Sequence, residues 1–365
     1  MLVVTALALV MVLGLSVAFF YRHLNGNMDI EVIPPEQIGP DRPDKPEVEG
    51  PHEPLNVLVM GSDSRDCEGC RVDGATGGGS DTTILVHLSA DRESAYGISI
   101  PRDSLVDRPD CFTEDGDTIP GEAGAMWNAA FSVGGQACTM RQLEQVTGIR
   151  VDNYVVVDFN NFKDMVNAVG GVEVCVPEDL HSDKGDIDIP KGVHTLRDQE
   201  ALDYIRIRYG VGDGTDLGRI KRQQAFIAAL AEQVIDSGKL GRIDQLVRFL
   251  NAATKSLTTD IPNVMELAEI GLQLKDIGAS RIRFLTVPNQ LSTSRPGRVE
   301  WLPEARTLWE RIRLDQPLGT LRNGSIGVGD VPSSTEAAPP SGDQPDPTGG
   351  VAADADELEA AGLCS

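Results

Sequence analysis

Four short runs put charged or hydroxyl side chains beside a turn or the end of a periodic segment. They are Gly61-Ser62-Asp63-Ser64-Arg65, Ser80-Asp81-Thr82-Thr83, Ser99-Ile100-Pro101-Arg102-Asp103, and the group Arg206, Arg208, Arg219 and Arg222 followed by Gln223 and Gln224. Arginine presents a planar fork of donors that matches phosphate oxygens and stays charged at any relevant pH. Carboxylates hold a hard cation such as Mg2+, and arginines neutralise the oxygens that the cation leaves. Arginines and aspartates in one cleft are therefore a recipe for a pyrophosphate with a divalent metal. Asp63 and Asp81 are the candidate metal ligands, and Arg65, Arg102, Arg206, Arg208, Arg219, Arg222 and Gln223 are the candidate pyrophosphate contacts. Asp81 and Asp103 are both candidate bases for an acceptor hydroxyl, with Arg102 completing the catalytic set. Taken singly, each has a plainer reading: a solvated arginine, a turn-forming aspartate, or an Asp103 held in a structural ion pair.

Those runs need elements to hold them, and hydrophobic periodicity says which. The apolar run over residues 55–60, ended by Gly61, predicts a buried strand. Residues 82–88 and 95–100 read as antiparallel neighbours across a short turn. A helix over 140–146 ends at Gly148, a strand spans 154–157, and a helix over 160–169 stops at Gly170-Gly171 before a strand at 172–176. Helices follow over 196–205, 217–235, 240–256 and 264–274, then a strand over 282–287. The core face of the longest helix carries Ile220, Ile227, Leu230 and Val234. Strands and helices mixed in this way predict a three-layer α/β/α domain with a central mixed sheet.

Residues 2–21 carry no charge, and about twenty residues at 1.5 Å each span a bilayer core of roughly 30 Å. A cleaved signal peptide is the competing reading, because Ser16-Val17-Ala18 resembles a cleavage site, but the apolar run continues past it. No Lys or Arg precedes the segment and Arg22 follows it, so charge bias does not itself set the orientation. The expected layout is an anchor over 1–21, a Pro- and Glu-rich extended linker over 22–54, a catalytic domain over 55–315, and a disordered acidic tail over 316–365. The net charge of −24 argues against a duplex-binding role, since nucleic-acid binders need a basic face. Of the six cysteines, Cys111 and Cys138 would brace the stretch between them, and Cys67 and Cys70 could close a small loop. Cys175 reads as a buried free thiol in a strand.

The segments NVLVMGSDSR, GSDTTILVHL, ISIPRDSLVD, NAAFSVGG, VVVDFNNFKDMVNAVGGVEV, GVHTLRDQEALDYIRIRY and GDGTDLGRIKRQQAFIAAL resemble, in order, the successive blocks of the LytR-CpsA-Psr family. The resemblance runs from about residue 55 to 230 and more loosely to 315. It implies a membrane-anchored, extracytoplasmic phosphotransferase that moves a glycopolymer from a polyprenyl pyrophosphate carrier to peptidoglycan through a phosphodiester. By position, Asp63 and Asp81 match the family aspartates near metal and pyrophosphate, and Arg102 matches the arginine of the PRD block. Arg206 and Arg208 match its paired arginines, and Arg219 and Gln223 the ends of the following block. One departure stands out: where the family commonly has an arginine two residues before Asp81, this chain has Gly79, in a longer loop that also holds Cys67 and Cys70. Arg65 or Arg71 would have to supply that charge, or the site works with one fewer arginine. A polyprenyl chain needs an apolar slot, for which Val157, Phe159, Phe162, Phe226 and Leu230 are candidates, although packing in the core is the plainer role for each. The competing functions are a pyrophosphatase that releases the saccharide, a non-catalytic lipid-binding or regulatory surface protein, and a structural surface domain whose arginines pair with its acids.

Overall fold

The structure, a computed structural model, describes residues 2–62, 80–176, 179–182, 187–207, 216–235 and 243–330. Eight strands form a central sheet: β1 (Asp29–Ile30), β2 (Leu55–Ser62), β3 (Ser80–Leu88), β4 (Ala95–Ile100), β5 (Asn153–Asp158), β6 (Leu257–Thr259), β7 (Ile282–Thr286) and β8 (Ile326–Gly327). Their order is β1-β6-β5-β2-β3-β4-β7-β8. The sheet is mixed: β2 pairs in parallel with β5, as β4 does with β7 and β1 with β6, while the other neighbours are antiparallel. Among the described residues the helices that accompany it are α1 (Leu2–Asn27), α2 (Pro35–Ile38), α3 (Ala129–Thr147), α4 (Phe159–Ala168), α5 (Asp198–Arg206), α6 (Asp216–Ile235), α7 (Ile243–Lys255), α8 (Val264–Ile277) and α9 (Pro303–Arg313).

Period-two alternation divides the strands between two cores. Leu58, Met60, Leu85, Ile98, Tyr154 and Leu285 face α3 and α9, where Met140, Leu143, Leu308 and Trp309 meet them. Leu88, Ala95 and Phe284 face the other way, onto Phe162 and Val166 of α4, Leu202 of α5, and Phe226 and Ala229 of α6. Val57 and Val155 on that second face pack with Leu267 and Ile270 of α8. The result is the three-layer α/β/α domain. Gly97 of β4 lies opposite Phe284, and a Cβ there would come within 2.4 Å of the ring, so the position admits no side chain without displacing it.

Four expectations change. The stretch read as an extended linker docks on the domain. Met28, Ile33 and Ile38 are buried, and β1 joins the sheet. Arg42 meets Glu144 on α3, and Lys45 lies 2.5 Å from Asp152. The region read as disordered from residue 316 is ordered through Asp330: β8 pairs with β7, and Ile326 and Val328 are buried. Short apolar anchors within polar, Pro-rich composition explain both differences. Cys175 is not a free thiol but is disulfide-bonded to a partner outside the described residues. Cys111 and Cys138 form a disulfide that ties the Cys111–Phe112 strand to α3. That helix is longer than expected and breaks at Gly134-Gly135, where Gly135 takes a φ of +59°.

α1 is a single helix of 26 residues with no acidic residue in its first turn and no basic residue in its last. It is long and apolar enough to cross a bilayer, and its apolar length is fully exposed. The chain thus carries one N-terminal membrane-spanning helix, with the folded domain beyond it.

Candidate active site

The register of the sheet brings the charged runs to one edge. β2, β4, β5 and β7 all end there, and β3 begins there. Ligand sites of open α/β sheets lie at this carboxyl edge of the parallel strands. Ser62 pairs with Ser80 on one side, across a bulge, and with Asp158 on the other. Thr83 pairs with Ile100 at the end of that ladder, so Asp81 on β3 and the Arg102 turn after β4 both lie just beyond it, at the same edge.

The Arg102 turn is fixed by bonds from three directions. Ser104 N donates to Pro101 O at 3.0 Å, Trp127 N to Ser104 O at 2.8 Å, and Asn128 N to Arg102 O at 3.1 Å. Trp127 Nε1 reaches Thr83 Oγ1 at 3.2 Å, and Trp301 Nε1 reaches Ser104 Oγ at 3.0 Å. Within this frame Asp103 Oδ1 accepts from Arg298 Nη1 at 3.0 Å, and its other oxygen lies 3.6 Å from Arg102 Nε. Asp103 is thus held between two guanidiniums.

α6 is hung from the same edge. Gln224 Nε2 donates to Ser99 Oγ at 2.8 Å and to Thr286 Oγ1 at 3.1 Å, at the ends of β4 and β7. Further along, α6 packs on the turn Val328–Asp330, so the helix descends from the edge and its first turns stand at it. Those turns carry Arg219, Arg222 and Gln223, all buried. Gln223 Nε2 donates to Ile205 O at 3.1 Å, and Arg222 Nη2 donates to Ile207 O, which brings the end of α5 and half-buried Arg206 alongside. Arg219 and Arg222 thus put two buried guanidiniums three residues apart on α6, in a chain of −24 overall charge. Burial raises the Asp203 carboxyl on α5 above its ordinary value, against a bond from Gln199 and the charge of Arg206.

Among the expected site residues, the structure gathers Arg102, Asp103, Arg206, Arg219, Arg222 and Gln223, together with the backbone of Asp81. Asp63, Arg65 and Arg208 lie outside the described residues, as do Gly79, Arg71 and the Cys67–Cys70 pair; the side chains of Asp81 and Phe159 do too. Of the lipid candidates, Phe162 and Phe226 are buried core residues with ring centroids 5.6 Å apart, while Val157 and Leu230 are half-buried. Among the described residues no three His, Cys, Asp or Glu side chains gather as a metal set.

Two residues of the site escape sequence reasoning. Asn128 sits against the Arg102 turn, and its Oδ1 is buried without a hydrogen-bond partner among the described residues. Tyr204 on α5 is fully buried, and its hydroxyl is likewise unpartnered there. Burial pushes its phenol up to about 12, against the pull of Arg222, so it stays a neutral donor. Both lie inside blocks with sequence signal, NAAFSVGG and ALDYIRIRY, but an asparagine before a helix reads as a cap and a tyrosine on an amphipathic face reads as core.

Comparison with known proteins gives the same assignment along the chain. The chain is 29% identical over 263 residues to the cell wall biosynthesis protein LcpA of Corynebacterium glutamicum, covering 64% of this chain and 49% of LcpA. It is 33% identical over 214 residues to the polyisoprenyl-teichoic acid–peptidoglycan teichoic acid transferase TagV of Bacillus subtilis, covering 57% of this chain and 50% of TagV. The chain spans about half the length of these curated relatives. The crystal structure of Bacillus subtilis TagV superposes with a TM-score of 0.55 at 28% identity, over 72% of this chain and 98% of that one. The profile of the LytR_cpsA_psr family matches residues 34–309, a span that runs from before β2 into α9 and takes in every described residue of the arginine edge, and the chain therefore belongs to the LytR-CpsA-Psr family.

Proposed function

We propose that the protein is a phosphotransferase that takes a glycopolymer from a polyprenyl pyrophosphate carrier and joins it to peptidoglycan through a phosphodiester. The observation that carries this reading is the convergence of Arg102, Arg219 and Arg222 with Asp81 on one sheet edge, in a domain tethered by a membrane helix. TagV, 33% identical, is named as a transferase of polyisoprenyl-linked teichoic acid to peptidoglycan, which supports the same class of donor and acceptor here.

In this reading the arginines hold the pyrophosphate, and Tyr204 and Asn128 add neutral contacts beside them. An acceptor hydroxyl oxygen attacks the phosphorus that bears the saccharide. The new P–O bond forms as the bond to the lipid phosphate breaks, and polyprenyl phosphate leaves. The acceptor proton passes to a carboxylate. Asp81 suits that role better than Asp103, whose oxygens are engaged by Arg298 and Arg102 and whose anion they stabilise. Asp103 is then a positioning residue for Arg102. Mg2+ or another divalent cation belongs to this reading, with Asp63 and Asp81 to hold it and neutralisation of pyrophosphate oxygens as the chemistry it supplies.

The test uses the full chain in vesicles with a synthetic polyprenyl-pyrophosphate saccharide and peptidoglycan fragments, with and without Mg2+. Saccharide should appear on the fragments, and Arg102→Ala should suppress the transfer. Release of free saccharide phosphate without transfer would make the protein a pyrophosphatase, and binding without turnover would make it a regulator.

A further inference from the structure

We propose that the amino-terminal half of α7 lies in the interfacial layer of the outer leaflet, held there by α1, and makes a second contact between this protein and the lipid surface. α1 has 26 residues, about 39 Å of helix, which exceeds the roughly 30 Å hydrocarbon core. Its last turns therefore stand clear of the acyl chains. Phe19, Phe20 and Tyr21, followed by Arg22 and His23, give the aromatic and basic sequence of a membrane interface. From that point on α1 is bound to the domain. His23 Nε2 lies 2.9 Å from Asn251 Oδ1 on α7. Asn27 Nδ2 donates to the same oxygen at 3.0 Å and to Thr254 Oγ1 at 3.3 Å, and Val264 N donates to Asn25 Oδ1 at 3.1 Å. The strands that continue α1 and α7, β1 and β6, pair in parallel with Asp29 opposite Thr258. The two helices thus run side by side away from the membrane.

Depth follows from the rise per residue. Leu246 precedes Asn251 by five residues, so it lies about 7.5 Å nearer the bilayer than His23 does, at the level of Ala18 and Phe19. Leu246 is 38% exposed. Apolar side chains at that depth meet lipid rather than water. The outer leaflet is the occupant that continuity with the membrane helix selects. This contact follows from the anchor's geometry alone and holds whatever reaction the site performs.

Full-length Leu246→Trp and Leu272→Trp proteins in vesicles of phosphatidylcholine and phosphatidylglycerol, brominated high on the acyl chains, test it. Leu272 is on α8, eight residues and about 12 Å beyond the Val264 that Asn25 holds, towards the start of β7 at the far edge of the sheet. It is also exposed, so both variants should melt like the parent, and Arg248→Trp, at another exposed position of the same half of α7, serves if Leu246→Trp does not fold. The emission that Leu246→Trp adds to the parent spectrum should shift to the blue and be lost to bromine, while the emission that Leu272→Trp adds persists. Equal quenching in the two variants would overturn the proposal. So would added emission in the Leu246→Trp protein that ignores bromine but changes with the protein-to-lipid ratio, which would assign the surface to a second copy of the chain.

Discussion

At the residue scale, Arg102 is the side chain whose geometry is most tightly specified, since three backbone bonds and two tryptophan N–H bonds fix the turn that carries it. Arg102→Ala should lower the transfer rate by about a hundredfold to a thousandfold, as loss of a preorganised donor to a developing anion does, with the melting temperature unchanged. Asp103→Asn should do less and should chiefly raise KM, because Asp103 acts through Arg102 and Arg298. A steady-state comparison of the two variants separates the roles. These charged positions were legible because each sits beside a turn that ends an apolar run. Asn128 and Tyr204 were not, since their residue types at those spacings have ordinary structural uses and only the fold reveals an unpartnered polar atom. Asp81 and Asp103 were indistinguishable as bases in the sequence; the bond to Arg298, on which the proposed preference for Asp81 rests, spans 195 residues.

At the scale of elements, small devices hold the site's supports in place. Asn263 caps α8 by accepting from Met265 N and Glu266 N, so Asn263→Ala should destabilise the protein by about 1 kcal/mol in urea melts. The Cys111–Cys138 disulfide closes a loop with a sequence separation of 27, and removing it by paired Cys→Ala substitution should lose about 3 kcal/mol. Asp315, just past α9, accepts from His87 Nε2 at 3.0 Å and from Ala90 N at 2.8 Å. Burial alone would raise its carboxyl, but those bonds and the charges of His87 and Arg92 outweigh it and hold the group below the ordinary carboxylate range. A depressed pKa means the unfolded chain binds the proton more readily, so this contribution is complete above the unfolded value and fades as pH falls through the folded one. Asp315→Asn should therefore lower stability by about 1–3 kcal/mol at pH 7, and the gap to the parent should narrow below about pH 5. Long strands and helices with clean periodicity were legible, β4 to the residue. α9 was not, because PEARTLWERIR is mostly polar and its apolar face, Leu308, Trp309 and Ile312, shows only once the tryptophan cluster is seen.

For the whole molecule, the domain is larger than composition suggested at both ends. Ile33, Ile38, Ile326 and Val328 are buried, and each buried aliphatic side chain contributes about 1.5–3 kcal/mol. A fragment cut to residues 55–315 should therefore melt well below one that runs from 28 to 330, a comparison that calorimetry makes directly. Composition hid these ends because a handful of anchors in Pro-, Glu- and Gly-rich sequence does not alter an average. The parallel pairing of β1 with β6 also bears on how the protein is made. Asp29 Oδ2 accepts from Thr258 Oγ1 across a separation of 229 residues, so the first strand to leave the membrane has no partner until nearly the whole domain has been exported. At ordinary synthesis rates of about 5–20 residues per second, the strand waits roughly ten to fifty seconds, tethered by its own anchor, before the sheet can close on it.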